Sequence, residues 1–401
     1  MAEEDPRPEF DPRWPVCARC RGVRVEGRTM CVSHLADLPE LAPGDELDLR
    51  GVKVSSAGLA QILGKFRDHE NKRFVFGRVR CDHTWFSGKA WFDGARFTDT
   101  ASFDNAYFSG LARFDGAKCA KDMSFVETRF AGRTLMTSLQ APRLDLERAW
   151  FAESVEITAE TAQLICTHAR FDGGLTLRTK GAVHAGGAHF GAPSTIALAP
   201  IVSLARSDVS NLVLTDVNLS GCTFLGAHRL EQIRIEGFAR FATPEKWWQA
   251  RRRILADERN GDPARVAALY RSLRKSFEDS KNEAGAGDFY YGEMEARRHS
   301  RESSIAERAI LSVYWLLSGY GQRASRALAT LAVVIAGVTT VLVSTGQDFG
   351  LAARIALGTA LSKDPQTELT ATGEWTVLVA RFLGPVLLAL AVLAIRARVK
   401  R

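Results

Sequence analysis

Four residues near the start of the chain have the types and spacing to hold a metal ion. Cys17, Cys20, Cys31 and His34 form the pattern C-x2-C-x10-C-x2-H. Zinc takes sulfur and nitrogen ligands at tetrahedral corners, and a two-residue spacer lets one tight turn present both members of a pair. Four protein ligands leave no open position, so the expected ion is a structural zinc. Buried thiols beside a surface histidine are the weaker alternative, because residues 1–40 have little else from which to build a core. Arg13, Arg19, Arg21, Arg24 and Arg28 surround the motif and are read as solvated charge. Nucleic acid is not an expected partner.

No other stretch carries recognisable reaction chemistry. There is no phosphate loop, dinucleotide fingerprint or interpretable Ser/His/Asp set, and the glycine pair Gly285 and Gly287 falls in an expected helix. Glu293 and Glu295 stand two apart, so on a helix they face apart. The chain is read as a non-enzyme without a small-molecule substrate. Seven cysteines without a basic and apolar leader point to a reducing compartment and no disulfides.

What must position the metal motif is a repeat. Cys81, Phe86, Phe92, Phe97, Phe103, Phe108, Phe114, Cys119, Phe125 and Phe130 follow at gaps of five and six in alternation, an 11-residue unit. Ala90, Ala95, Ala101, Ala106, Ala112 and Ala117 stand two before most of these rungs. Neither the helical period of 3.6 nor the strand period of 2 fits, so the chain must coil on itself around a shared axis. Leu146, Phe151 and Ile157 recur 20 residues later as Cys166, Phe171 and Leu177. Further on the rhythm is five: Leu204, Val209, Leu214, Leu219 and Phe224. Cys81, Cys119 and Cys166 occupy rungs and Cys222 a small-residue position, so these thiols are expected to be core. His83, His168, His184 and His189 lack ligand spacing and are read as corner residues at the surface.

The stretch from about 76 to 230 resembles the pentapeptide-repeat family. The resemblance implies a right-handed quadrilateral β-helix with four five-residue sides per coil. Two 11-residue units would make a 22-residue coil with two enlarged corners. At 20–22 residues per coil the stretch makes about seven coils, roughly 35 Å long at ~4.8 Å per coil. Some members of that family imitate DNA, which requires a strongly acidic rod. Here 16 Lys or Arg stand against 15 Asp or Glu, a net of +1, which excludes that role.

The rest of the chain follows from composition. Residues 41–75 read as a linker and cap, with Leu59, Ile62, Leu63 and Phe66 at helical spacing. Trp247, Trp248 and Arg251 open a helical region at 238–303. Asp262 and Pro263 begin one helix, a break at 280–282 follows, and Phe289, Tyr290 and Met294 line the next. This pair resembles a single tetratricopeptide unit. Residues 289–295 resemble a linker of membrane-bound pentapeptide-repeat proteins.

Residues 327–347 and 375–395 are apolar runs of spanning length, the second interrupted only by Arg381. Arg297, Arg298, Arg301, Arg308, Arg323 and Arg326 precede the first span, and Arg396, Arg398, Lys400 and Arg401 follow the second. Both termini are therefore expected in the cytoplasm of a bacterial-type cell, at the inner membrane. Residues 310–317 read as an interfacial helix, and 349–361 as a short re-entrant one. Span, short helix and span resemble the two-helix pore module of potassium-type channels in topology alone. Ser362-Lys363-Asp364-Pro365 stands where that family carries Thr-x-Gly-Tyr-Gly. Arg381 is either a functional intramembrane charge or one that snorkels to the outer surface.

The expected architecture is thus multidomain, β followed by α. A zinc module (1–40), linker and cap (41–75), β-solenoid (76–237), helical hairpin (238–303) and two-span membrane domain (304–401) follow one another. Two functions are carried forward. One is a membrane-anchored scaffold whose solenoid binds a protein partner; the other is a homo-oligomeric pore regulated by the solenoid.

Overall fold

The computed structural model describes residues 10–68, 73–244, 252–361 and 370–399, with backbone alone for 396–399. Two compact units form, one of residues 1–243 with 254–259 and one of 244–253 with 260–401. Trp247, Trp248, Arg251 and the tetrapeptide 362–365 lie outside the described residues.

The first unit is a parallel β-solenoid. Every named strand pair in it is parallel, and an eight-stranded sheet with one strand per turn counts about eight turns. The expectation from sequence was about seven. The added turn comes from the segment read as linker and cap: Leu47–Asp48 and Lys53–Ser55 pair with Val79–Arg80 and Trp85–Ser87. Lys53 stands opposite Trp85, an offset of 32, whereas Trp85 stands opposite Tyr107, an offset of 22. The extra ten residues equal the length of helix α1 (Ser56–Lys65), inserted into this first turn. The Ser55 hydroxyl accepts from Gly58 N and starts the helix, while Leu59, Ile62 and Leu63 are buried.

The rungs point inward as the repeat demands. The Phe rungs and the alanines two before them are buried. One column stacks Phe86, Phe108, Phe130, Phe151, Phe171 and Phe190, with centroids 4.5, 4.8, 4.7, 5.2 and 5.6 Å apart and planes within 13° of parallel. The stacking distance is set by the strand spacing of ~4.8 Å, so successive coils place identical rings in contact. Cys81, Cys166 and Cys222 are buried in the same interior, and burial pushes the Cys166 thiol up to about 12.

The coil changes size along the stack. Val79, Ala101 and Met123 pair in succession at offsets of 22. Phe151 pairs with Phe171 at 20, Val183 with Ile201 at 18, and Asn218 with Arg240 at 22. The early coils have four short strands each. Two of their corners carry a residue with positive φ: His83, Asn105 and Glu127 at one, Gly94, Gly116 and Ser138 at the other. These are the two enlarged corners of the 11-residue unit. Ser138 is the last of its series. There the register shifts between Met136 and Leu139, and one seven-residue strand, Thr134–Gln140, spans two former sides. In the next turn Val155–Glu160 runs straight through, leaving three strands per coil.

At the far end the backbone N–H groups of Phe224 and Leu225 have no further coil to pair with. The Asp257 carboxylate, buried in the returning segment 254–259, accepts both at 2.9 and 3.1 Å. It stands in for the missing strand edge.

The second unit is helical. Helices α2 (Pro263–Asp279) and α3 (Glu283–His299) form the hairpin, and the Asp262 side chain caps α2 by accepting from Arg265 N. Glu293 and Glu295 do face apart. Glu293 is buried against Arg271 and Arg274 of α2 at 2.9 and 2.8 Å, while Glu295 accepts from Tyr320 at 3.0 Å and pairs with Arg298 at 2.6 Å. Helices α4 (Ile305–Ser318), α5 (Ala324–Ser344), α6 (Phe349–Ala360) and α7 (Ala371–Val399) follow. Two stretches, Ala324–Ser344 and Ala371–Ile395, are long and apolar enough to cross a membrane. In their most apolar 18-residue windows 22% and 28% of the residues are buried.

Candidate functional site

The metal-ligating residues meet. The donor atoms of Cys17, Cys20, Cys31 and His34 all lie within 4.8 Å of one another. Cys20 Sγ is 3.6 Å from Cys31 Sγ, and His34 Nδ1 is 3.2 Å from Cys31 Sγ and 3.5 Å from Cys17 Sγ. A tetrahedral ion bonded at ~2.3 Å to sulfur and ~2.0 Å to nitrogen spaces its ligands about 3.5–3.8 Å apart. The three separations given lie near that spacing, and the cluster could hold a metal ion.

Local backbone chemistry explains the convergence. Val16 and Val23 bridge antiparallel and turn the first pair inward. Arg19 N donates to Cys17 Sγ at 3.4 Å and Gly22 N to Cys20 Sγ at 3.3 Å, so the turn amides already face the sulfurs. The sulfurs also share protons. The bond to Cys31 draws the Cys20 thiol down to about 5, and the same bond pushes Cys31 up. His34 is raised by its contact with the Cys17 sulfur. A bound cation would take the place of the protons these sulfurs share.

The knuckle rests on the first turn of the solenoid. Val23 N donates to Arg50 O at 2.7 Å. A Cβ on Gly22 would come within 2.8 Å of Val52 Cγ2, and one on Gly51, whose φ is +70°, within 2.7 Å of Arg21 O. Phe10 stacks on His83 at 4.4 Å and 20°. Of the four histidines expected at the surface, His83, His184 and His189 are half-buried and His168 is exposed; Phe10 covers His83. A cleft of about 580 Å³ opens beside residues 46–50, lined by Arg24, Arg50 and Arg80 but also by Glu26, Glu46 and Asp48. Its charges are mixed and favour no ligand class.

Comparison with family models, with curated proteins and with solved structures finds no match.

One feature of the solenoid was not expected from the sequence. Its outward residues on one sheet form a column: Lys53, Trp85, Tyr107, Arg129, Trp150, Arg170 and His189, each opposite the next. Lys53 Nζ lies 3.5 Å from the centre of the Trp85 ring, and Trp85 is buried. From Tyr107 onward aromatic and cationic side chains alternate, half-buried rings between exposed guanidiniums. Trp150 Nε1 donates to Asp172 at 2.7 Å, which steadies the indole at the surface. Two positions on from six of the seven members stand the small residues Ser55, Ser87, Ser109, Ala131, Ala152 and Gly191, while Asp172 stands two on from Arg170 and pairs with it at 3.4 Å. The column's members stand in the sequence one residue before each stacked phenylalanine, where the period of the rungs hides them.

Arg381 is exposed on α7 and is not enclosed by the α5–α6–α7 core. That core joins Val338 and Leu342 of α5, Ala352, Ile355 and Ala356 of α6, and Val377 and Ala380 of α7. Gly384 permits the close crossing, since a Cβ there would lie 2.6 Å from Ala360 Cα.

Proposed function

We propose that this protein is a non-catalytic, membrane-anchored scaffold of the pentapeptide-repeat type. Its solenoid is taken to be right-handed and quadrilateral in its early coils, and its Cys/His knuckle to hold a structural zinc. Two spans fix it in a bacterial inner membrane with both termini cytoplasmic, as the basic flanks favour. The observation that carries the reading is the outward column from Tyr107 to His189. Tyr, Trp and Arg are the residues that dominate protein-binding energy, and here they stand on a rigid frame about 19 Å long at ~4.8 Å per coil. The arginines favour a partner with acidic residues. The double variant R129E/R170E leaves the inward rungs untouched. In crosslinking from intact cells it should lose the partner that the wild-type chain captures; equal capture by both would remove this assignment.

The α5–α6–α7 packing favours a second reading, a homo-oligomeric pore regulated by the solenoid. A 12-residue apolar helix seated between two long ones is the arrangement expected of a pore module. Mass measurement in detergent and ion flux in liposomes test it: a monomer without flux removes the pore and leaves the scaffold.

A further inference from the structure

Helix α4 is apolar on two sides. Leu311 and Ser318 are buried, and Tyr314 and Trp315 pack beside Tyr291, Met294 and Tyr320. On the opposite side Ile305, Ile310, Val313 and Leu316 are 84, 68, 55 and 65% exposed. Four large apolar side chains at that exposure on one helix face need a non-aqueous neighbour.

The neighbour is indicated by what adjoins the face. Thr330 of α5 donates to Leu317 O at 3.2 Å, so α4 ends against the second turn of a helix of spanning length. The Arg298 and Arg326 guanidiniums lie 4.6 and 4.7 Å from the Trp315 ring centre. Tyr290, Tyr291, Tyr314, Trp315 and Tyr320 thus make an aromatic layer at the start of α5. Such layers mark the level where hydrocarbon meets headgroups. From Arg326 to Ser344 the helix rises about 28 Å at ~1.5 Å per residue, close to the ~30 Å of a bilayer core. Between 297 and 326 six arginines stand against Glu302 and Glu307 alone. Glu307 is paired with Arg297 at 2.6 Å, and Arg301 and Arg308 are exposed at either side of the start of α4.

We infer that α4 lies in the bilayer interface as a third membrane element, its exposed face among acyl chains, and that Arg301 and Arg308 bind anionic phospholipid. The inference rests on the membrane reading above and adds a lipid-binding surface to it. Zwitterionic lipid satisfies the apolar face, but only anionic headgroups complement the excess of arginine.

The test uses the full chain in nanodiscs of phosphatidylcholine with added phosphatidylglycerol. A fluorophore is placed on I310C or, in mid-span, on V333C, with background labelling of the parent chain subtracted. Brominated lipid should quench both. Retention of phosphatidylglycerol through detergent exchange should fall about fivefold or more in R301Q/R308Q. Quenching at V333C without quenching at I310C overturns the inference and spares the spans. Quenching at neither site overturns the membrane reading itself. An I310C probe shielded from water but not quenched, in a chain that runs as a dimer, assigns the face to a second copy and overturns the inference. Equal phosphatidylglycerol retention by both chains overturns the lipid selectivity.

Discussion

Cys20 and Cys31 sit 3.6 Å apart because two knuckle turns bring their sulfurs together, and such a pair asks for a cation. Chelation at neutral pH, or C20A, should remove one equivalent of bound metal. The knuckle seats on Val52 and Gly51, so either treatment should also expose the first turn to protease while later coils stay protected; limited proteolysis read by mass spectrometry checks this. A single carboxylate offers a second test. Burial raises the Asp115 carboxyl, but hydrogen bonds from Thr137 N and Oγ and from Arg113 outweigh it and hold it below the usual carboxylate range. A folded-state pKa below the unfolded one means stability present above about pH 4 and lost as pH falls through the lower value. The advantage of the wild type over D115N should therefore be full near pH 6 and shrink below pH 4, as urea midpoints across that range would reveal. At this scale the Cys/His cluster was legible, because residue type and spacing are local. The aromatic column was not, because its members are about 20 residues apart and only coil register makes them neighbours.

Among the elements, the six-ring stack is a continuous buried column of the solenoid. Phe108 touches Phe86 and Phe130 at 4.5 and 4.8 Å and is fully buried. F108A should lower solenoid stability by about 3–5 kcal/mol, measured as a shift of the denaturation midpoint; a loss under 1 kcal/mol would mean the neighbouring rings close the gap. The rungs were readable because a fixed period of five and six has no other physical explanation. The fusion of two short strands into the straight run Val155–Glu160 was not readable. It depends on omitting the positive-φ corner that Gly94, Gly116 and Ser138 supply, and Thr158 in the next turn looks in sequence like any other polar residue. The two helices flanking the break at 280–282 were legible from Asp262, Pro263 and the apolar spacing. What their inner face holds was not: Glu293, buried between two arginines, reads in sequence as a surface acid.

For the whole molecule, the separation into a β unit and a helical unit was visible as a change in composition near residue 238. Sidedness is the property to measure next. Cysteine substitutions at Ser303 and at Gly346 should react with a membrane-impermeant reagent from opposite faces of sealed vesicles; same-side labelling would contradict a single crossing by α5. The drift of coil length from 22 to 18 and back to 22 has a further consequence. A solenoid of equal turns is like a stack of identical coins, and one missing coin goes unnoticed. Here the girth changes after the early coils of 22, so a later turn laid one place out of order meets a neighbour with too many or too few residues for its perimeter. The stack counts itself while it folds. Excising one whole repeat from the middle should therefore cost more than the contacts it removes, because it brings together rims that do not match.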